Sequence, residues 1–344
     1  MLIQEAPVFT QPLVSIVDDK GSSELIQVFS QSRFDLSEKV TINVGVHAQY
    51  FTLNDQYTIE PRLGLRWNFK PSHTLNFGYG DHSRLEMLFL YLGQQPSPNG
   101  LIQPNKNLDF TKSQHFVMGY DWSVSENLNF RAEAFYQHLY SVPVKPETSY
   151  SMMNVDQNWF INDALTNDGT GENYGLDLTL ERYMNKGYYY MVTASVFKAN
   201  YIGGDNIVRN SRYDKGYVIN LLGGKEWKVG RGNKNNTIGV NGKFSVIGGD
   251  RITPVDEEAT HLAKEVIYDE TRAFEDSKAN VYYLHFTLNY RKNKKKHASI
   301  WSFQILNALG SPELFGYKYN YKYDTIDKDE QTIILPNISY KIIF

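Results

Sequence analysis

The residues whose types and spacing could support ligand binding form a row of tyrosines near the C-terminus. Alternate residues of a β-strand share one face, and a row of tyrosine rings can stack on sugar rings or bind flat ligands. The same pattern is also expected of a hairpin that simply extends outward, so both interpretations remain open. In the stretch "YKYNYKYD" the row consists of Tyr317, Tyr319, Tyr321 and Tyr323.

A second candidate set is charged and alternates with apolar residues. In "PRLGLRWNF" arginines alternate with leucine and tryptophan, and in "LNFRAEAFY" an arginine and a glutamate alternate with phenylalanine and alanine. A polar face of this kind can guide a substrate or bind a polar partner, or it can be a hydrated wall whose charges compensate one another. The set comprises Arg62, Arg66, Arg131, Glu133, Asp177 and Glu181.

The sequence contains no catalytic or metal-binding motif beside these residues. It has no cysteine, and its 8 histidines lack a ligand spacing such as H-E-x-x-H. It also lacks G-x-S-x-G, a phosphate-binding loop and a dinucleotide fingerprint, and "DTIDKDE" has too few correctly spaced oxygens for a calcium loop. A net charge of -3 gives no basic surface for nucleic acid. We therefore predict no enzyme, no cofactor, no metal site and no nucleic-acid partner.

Strict alternation of apolar and polar residues recurs from about residue 24 to the C-terminus. It predicts strands with one apolar face and one polar face. The segments run about ten residues or longer, whereas a usual strand has about 5–6 and a tilted strand that crosses a bilayer needs about 9–11. Aromatic residues lie near the ends of the apolar face, as in the girdles of transmembrane barrels. Clear examples are "TINVGVHAQYF", "TIGVNGKFSV" and "YYLHFTLNYR".

The connections between these segments alternate between short and long. Short turns such as "SEK", "KPSH" and "VSEN" alternate with mostly long connections, which is typical of the periplasmic turns and extracellular loops of outer-membrane barrels. The pattern predicts an all-β, antiparallel transmembrane barrel wall of roughly thirteen strands over residues 24–344, with residues 1–23 in an extracellular loop. The long connections lie near residues 85–110, 141–170, 200–213, 248–280 and 308–330.

An odd number of strands predicts that this wall is part of a larger barrel. Single-chain bacterial barrels have even strand numbers, and an open sheet edge leaves backbone groups unpaired in hydrocarbon. The opening residues also lack the basic and apolar regions of a signal peptide. We therefore expect this chain to be the C-terminal portion of a larger barrel.

The long connection near residues 248–280 carries helical signals. In "ITPVDEEATHLAKEV", Thr253 can cap a helix N-terminus and Pro254 suits the first helical position. The acidic residues that follow favour the positive end of the helix dipole. In the next stretch, "YDETRAFED", we expect Arg272 to form an ion pair that orders the loop.

Several stretches, taken in order, resemble the barrel of a TonB-dependent receptor, in particular the subgroup with a carboxypeptidase-regulatory-like domain ahead of the plug. They include "IQPNKNLDFTKSQHFVMGYDW", "NDGTGENYGLDLTLER", "GGDRITPVDEEAT" and the terminal "LPNISYKIIF". The resemblance covers essentially all of residues 24–344. It implies a barrel of about 22 strands, of which this chain would supply roughly the last thirteen, with the plug and the TonB-contacting segment outside the chain.

The resemblance also implies a location, a role and partners. It implies energy-coupled uptake of a scarce solute, such as a metal chelate, a glycan or a peptide, across the outer membrane of a Gram-negative bacterium. The implied partners are outer-membrane lipid, the plug with the remaining strands, the TonB complex and the barrel-assembly machinery. In such barrels the assembly machinery reads a final strand that ends on an aromatic residue, here the outward-facing Tyr340, Ile342 and Phe344.

Three other functions remain as alternatives. The first is a passive, porin-like barrel closed by a strand from residues 7–17, although Pro12 in its middle argues against that strand. The second is an outer-membrane barrel enzyme, for which we find no Ser/His or Asp/His group near one rim. The third is a soluble sugar-binding β protein, which would need polar residues where this chain has leucine, valine and phenylalanine.

Overall fold

The computed structural model describes residues 2–5, 14–18, 22–155, 163–230 and 235–344, and within them one large antiparallel sheet dominates. The sheet has 14 strands, of which thirteen follow one another in chain order, while Val208–Asn210 pairs only with the strand Tyr188–Ile202. The thirteen are β1 (Leu25–Ser37), β2 (Val40–Phe51), β3 (Gln56–Lys70), β4 (His73–Arg84), β5 (Thr111–Ser125), β6 (Leu128–Val144), β7 (Thr166–Asn185), β8 (Tyr188–Ile202), β9 (Tyr217–Val229), β10 (Asn236–Ile247), β11 (Val281–Asn293), β12 (Ala298–Leu306) and β13 (Leu335–Ile343).

These strands confirm the thirteen segments that the alternation predicts. Every strand is antiparallel to its neighbours, as expected when consecutive strands are joined by turns and loops. The short turns lie together at one end of the sheet, for example at residues 71–72 and 126–127. The long connections lie at the other end, at residues 85–110, 145–165, 203–216, 248–280 and 307–334. The sorting of connections by length is therefore confirmed.

The cross-strand register gives the sheet one apolar face. Residues that lie directly opposite one another on neighbouring strands form a continuous apolar row. The side-chain period of two keeps the apolar residues of each strand on the same face. Many of these side chains are exposed, including Val196 and Met118, so no second layer of the described chain covers this face. The row runs through Phe34, Ile42, Leu65, Phe77, Met118, Ala134, Leu176, Val196 and Tyr217.

The opposite face of the sheet is polar. Side chains there bond to one another across strands: Ser195 donates to Asp177 over 2.5 Å, and Ser245 donates to Asn220 over 2.7 Å. Such pairs satisfy polar groups on a face that is hydrated or that meets a polar partner. One polar row runs through Asp121, Arg131, Thr179, Thr193, Asn220 and Ser245.

Aromatic residues form a band near the turn end of the apolar face. The rings of Trp301 and Tyr340 lie 4.4 Å apart between centroids. Tyrosine and tryptophan combine an apolar ring with a polar group, so such bands mark the boundary between hydrocarbon and water. In register, the band runs through Trp227, Tyr290, Trp301 and Tyr340, with the aliphatic Ile238 between the first two.

Among the described residues two short α-helices lie in the long connections, and neither is long or apolar enough to cross a bilayer. Helix α1 (Leu88–Leu92) lies in residues 85–110 and α2 (Glu257–Ala263) lies in residues 248–280. Short hairpins complete these connections, including Gln95–Ser97 with Gly100–Ile102, and Glu313–Asn320 with Thr325–Gln331.

The start predicted for the helix in residues 248–280 is wrong by three residues. Asp256, not Thr253, is the N-cap, and its Oδ1 accepts from the Ala259 amide at 2.9 Å. The Thr253 hydroxyl instead accepts from the Phe274 amide at 3.2 Å, so a tertiary contact uses the side chain that could have capped the helix. The predicted loop ion pair is confirmed, because Arg272 Nε lies 2.6 Å from Glu275 Oε2.

The buried hydrophobic core lies beneath the long connections rather than within the sheet. It joins α1 to the loop ends of the strands and to residues 145–165. Tyr91 stacks edge-on against Phe51 with 5.4 Å between ring centroids. The core comprises Val17, Phe51, Phe89, Leu90, Tyr91, Leu92, Leu108, Phe110, Val142, Met152 and Leu165.

The N-terminal region does not join the large sheet in the part of it that the structure describes. Leu2–Glu5 pairs with Val14–Asp18 in a separate two-stranded sheet. Of the strand proposed to close a passive barrel, residues 7–13 lie outside the described residues, and the rest pairs with Leu2–Glu5 instead of with β1 or β13. That closing strand is therefore wrong over its described part. Val17 packs into the core beneath the long connections, which places this hairpin at the loop end.

Candidate functional site

The charged residues that the sequence singles out lie on the polar face but do not form one site. Arg131 Nε contacts Asp121 Oδ1 at 2.5 Å, and Arg62 contacts Glu60 at 3.3 Å. Glu133 faces Gly119 on one neighbouring strand and Asp177 on the other. The two arginine contacts are charge-compensated pairs, as the hydrated-wall interpretation expects, whereas Glu133 faces no cation across its neighbouring strands.

Four of these residues line two separate cavities of the polar face. Arg66, Arg131 and Glu181 line one of about 510 Å³ near the turn end. Asp177 lines another of about 640 Å³ nearer the loops, together with His82 and His115, whose rings meet edge-on at 4.8 Å. These contacts do not distinguish between the two interpretations of the wall, as a guide for substrate or as a hydrated surface.

The tyrosine row does not continue along one strand. The strand ends at Asn320 and a turn follows, so Tyr317 and Tyr319 lie on the strand while Tyr321 and Tyr323 lie in the turn. Alternation places side chains on one face only while the chain stays extended, and that condition fails at the turn. The hairpin pairs only with itself within the described residues, as the interpretation of an outward extension predicts. Binding of a ligand by these tyrosines stays a prediction.

Tyr319 is held by contacts within the protein. Its hydroxyl contacts Asp324 and accepts from Lys264 Nζ at 3.0 Å. The Lys264 ammonium also lies 5.4 Å from the centroid of the Tyr319 ring. By contrast, the Tyr321 side chain is 78% exposed, so it is the most open ring of the set.

The C-terminal residues predicted to guide assembly lie on the apolar face. Tyr340 packs on Trp301 and donates to the Ser299 hydroxyl at 3.1 Å. Ile342 faces Ser299 across the strands, and Phe344 is 97% exposed beyond the end of β13. Their role in assembly stays a prediction.

A further cavity, of about 600 Å³, lies among three long connections and was not indicated by the sequence. We call it the loop cavity. It is bounded by residues 145–154, 205–209 and 270–274, together with Asp163. Ser149 donates to Glu270 at 2.8 Å, a contact between residues 121 positions apart, so no local pattern could have revealed it. Backbone bonds from Glu147 to Gly204 and from Asp205 to Thr148, both 3.1 Å, fix the first two connections together.

A glycine allows these connections to approach. A Cβ at Gly203 would lie 2.8 Å from the carbonyl oxygens of Thr148 and Ser149. Real side chains do not come so close to backbone, so a larger residue would push residues 203–216 away from residues 145–165. Gly203 is thus a local sequence requirement for the loop cavity.

The described residues offer no metal site. No group of three or more histidine, aspartate or glutamate side chains among them is placed to hold a metal ion. The loop cavity instead contains hydroxyl, amide, charged and aromatic groups, which suits reversible binding of a polar ligand.

The sheet and its connections define the wall of a transmembrane β-barrel, with an apolar outer face, a polar inner face and long loops at one end. Sequence comparison places residues 5–308 in the family described as TonB dependent receptor-like, beta-barrel. The chain therefore belongs to the TonB-dependent receptor family, whose barrels lie in the outer membrane of Gram-negative bacteria. A comparison with curated protein sequences finds no match.

Solved structures share this fold at low sequence identity. The outer membrane transporter YddB from Escherichia coli has a TM-score of 0.65 and 11% identity, and the match covers 97% of this chain and 48% of that one. The ferric yersiniabactin uptake receptor FyuA from Yersinia pestis has a TM-score of 0.60 and 10% identity, with coverage of 94% and 46%.

The ferripyoverdine receptor of Pseudomonas aeruginosa has a TM-score of 0.59 and 12% identity, with coverage of 93% of this chain and 39% of that one. The chain thus spans less than half the length of all three structures. All three are named as transporters or receptors, and YddB and the ferripyoverdine receptor are named as proteins of the outer membrane.

Proposed function

We propose that this chain is the C-terminal part of the barrel wall of an energy-coupled outer-membrane receptor that imports a scarce solute. The observation that carries the proposal is the thirteen-strand antiparallel wall, apolar outside and polar inside, with long connections gathered at one end. A wall of this kind separates lipid from a hydrated interior, and its loops present binding groups to the outside.

In this proposal the wall holds its position while other parts move. Its strands share cross-strand pairs along their length, so they form a rigid frame. The long connections capture the solute, and a plug that contacts the TonB complex gates its passage. The plug and the remaining strands are supplied from outside residues 1–344. The chain performs no catalysis, and the barrel-assembly machinery inserts it into the membrane.

The solute belongs to one of three classes in this proposal: a metal chelate, a glycan or a peptide. The structural neighbours FyuA and the ferripyoverdine receptor are described with iron-chelate ligands, which supports uptake of a scarce solute without fixing its class here. The loop cavity, of about 600 Å³, is within the usual size range of ligand pockets, so its volume alone does not distinguish the three classes.

The experiment compares accumulation of labelled solutes in cells that make the complete receptor, with and without a functional TonB complex. The panel contains a ferric chelate, an oligosaccharide and a peptide pool. We expect accumulation of at least one class to require both the receptor and TonB, whereas binding to isolated outer membranes requires the receptor alone. Accumulation that needs the receptor but not TonB would indicate a passive pore and overturn the proposal. Absence of any receptor-dependent accumulation would overturn it as well.

A further inference from the structure

The loop cavity contains a buried hydrogen-bond donor that has no partner. Asn154 lines the cavity and is 7% exposed. Its Oδ1 accepts from the Ser211 hydroxyl at 3.0 Å and from the Arg212 amide at 2.9 Å. Its Nδ2 has no hydrogen-bond partner. A buried donor without a partner is costly, so this amide is suited to a ligand that brings an acceptor.

The charged groups that line the loop cavity leave an excess of negative charge. Two ion pairs are internal: Lys145 with Asp163 at 3.0 Å, and Arg209 with Asp205 at 2.8 Å. The Arg209 guanidinium bonds to Asp205 and holds the pKa of that carboxyl below its ordinary value, so the carboxylate stays charged.

Two further carboxylates of the cavity take part in no ion pair within the described residues. They are Glu147 and Glu270, which both line the cavity. Glu270 accepts a hydrogen bond from Ser149, and Arg209 is near enough to interact with it electrostatically, although the two form no ion pair. A ligand that fills the cavity removes water from both carboxylates, and burying an unpaired charge is unfavourable. The excess of carboxylates therefore favours an occupant that supplies positive charge over a neutral or anionic one.

Aromatic side chains complete the lining. Phe274 and Tyr150 both border the cavity, and burial raises the pKa of Tyr150 to about 12, so its ring is neutral at physiological pH. Below Phe274 lies the buried ring of Tyr201, edge-on at 5.9 Å, whose hydroxyl also has no partner. These surfaces suit the apolar parts of a ligand.

We propose that the loop cavity binds a short cationic peptide, whose lysine or arginine side chain meets Glu147 and Glu270 and whose backbone carbonyl accepts from Asn154. The inference rests on the proposed function, because it names the solute class that this receptor captures. It excludes two other classes on physical grounds. An anionic metal chelate would approach two unpaired carboxylates, and a neutral oligosaccharide would cover them without compensating their charge.

The test measures equilibrium binding of labelled pentapeptide pools to outer membranes that contain the complete receptor. The three pools are capped at both ends and carry an uncharged dye. They differ only in one fixed residue, which is lysine, glutamine or glutamate. A labelled neutral oligosaccharide and a ferric catecholate chelate are measured in parallel. We expect the lysine pool to bind at least roughly fivefold more tightly than the glutamine pool, and the glutamate pool to bind most weakly.

Variants then test the assignment of the two carboxylates. The double variant Glu147→Gln with Glu270→Gln should weaken binding of the lysine pool by roughly five- to twentyfold and leave the glutamine pool nearly unchanged, because each exposed pair contributes up to about a factor of five. The matched control is Glu257→Gln with Glu258→Gln on α2, which removes the same charge from outside the cavity lining. Heat-modifiable migration on a gel verifies that every variant is folded.

The outcomes separate this inference from the proposed function. Three results would each overturn the peptide assignment. The first is a preference for the lysine pool that persists in the double variant, and the second is an equal loss of lysine-pool binding in the control variant. The third is tighter binding of the oligosaccharide or the chelate than of the lysine pool. Absence of binding by every pool would overturn it too. Because the assay needs no energy source, peptide binding without TonB-dependent accumulation would sustain the cavity assignment while refuting the proposed transport.

Discussion

At the scale of single residues, a contact between Lys264 and Asp324 joins two long connections. Lys264 ends helix α2 and Asp324 lies in the turn of the hairpin Glu313–Asn320 with Thr325–Gln331. Their charged atoms are 2.8 Å apart, and His261 Nδ1 lies 3.5 Å from the same carboxylate. The two residues are 60 positions apart, so the contact ties segments that the chain does not hold together locally.

The pKa shifts of the pair define the pH range in which this contact persists. Hydrogen bonds from Lys264 and Tyr319 hold the pKa of Asp324 below its ordinary value of 3.8. The contribution of Asp324 is therefore fully present above pH 3.8 and is lost as the pH falls through the lower value in the folded protein. Asp324 and Tyr319 raise the pKa of Lys264 above 10.5, so its contribution is present below that pH and is lost at higher pH.

We therefore predict that hydrogen exchange in residues 257–263 and 313–331 is equally protected, after correction for intrinsic rates, from about pH 5 to pH 8. Asp324→Asn should raise exchange in both segments at every pH in that range. The control is Asp327→Asn, which removes a carboxylate whose hydrogen bonds, among the described residues, are to Asn320 and Thr325 of the same hairpin. The control variant should raise hydrogen exchange in the hairpin, residues 313–331, and leave exchange in residues 257–263 unchanged. A loss of protection in wild type between pH 8 and pH 5 would contradict the assignment.

At the scale of elements, the two faces of each strand make different demands on sequence. Phe303 and Gln304 are neighbours in the middle of β12 and point to opposite faces. Phe303 lies opposite Leu288 and Ile338 on the apolar side, and Gln304 lies opposite Thr287 and Asn337 on the polar side. The same substitution at the two positions therefore compares the effect on stability of a side chain that faces lipid with that of one that faces the hydrated interior.

We predict that Phe303→Lys destabilises the folded barrel by about 2–4 kcal/mol, the cost of a lysine near the middle of a bilayer. Gln304→Lys should change the stability little, because water and polar groups can solvate the charge. The measurement is the fraction of complete receptor with heat-modifiable migration during urea titration in lipid vesicles. Equal destabilisation by both variants would show that β12 does not have one face in lipid.

The strands could be predicted from sequence because their signal is local. Along most of β10 and β11 apolar and polar residues alternate, with exceptions such as Gly242 and Tyr283, and a period of two sets both the strand and the face. The start of α2 could not be predicted, because Asp256 and Thr253 are both competent caps. Asp256 is the cap in the structure, and the Thr253 hydroxyl instead accepts a hydrogen bond from the amide of Phe274, which is 21 residues away.

The hydrophobic core and the loop cavity could not be predicted from the sequence, for a related reason. The sequence "MLFLYL" indicates an apolar segment too short to span a membrane, but not that α1 packs against Phe51, Phe110 and Val142 from three different strands or loops. The contact of Ser149 with Glu270 joins distant connections in the same way. Such contacts depend on the sheet first bringing its loop ends together, and periodicity carries no information about them.

At the scale of the whole molecule, the large sheet has two open edges within the described residues. β1 pairs only with β2 and β13 pairs only with β12, and every residue of both edge strands is exposed. Unpaired N–H and C=O groups are strongly unfavourable in hydrocarbon. Closure therefore requires partners for both edges, and in our proposal the remaining strands of the complete receptor provide them.

We predict that residues 1–344 alone, refolded into detergent micelles or lipid vesicles, do not form a closed monomeric barrel. Open edges instead pair between copies, because an unpaired strand is a template for another chain. The measurement combines light scattering for mass, migration on a gel with and without heating, and permeability of vesicles to sugars. The complete receptor is the control and should be monomeric and heat-modifiable. A compact monomer of the 344-residue chain that makes vesicles permeable would show that the chain closes on itself, and it would favour a passive porin-like barrel over the wall of an energy-coupled receptor.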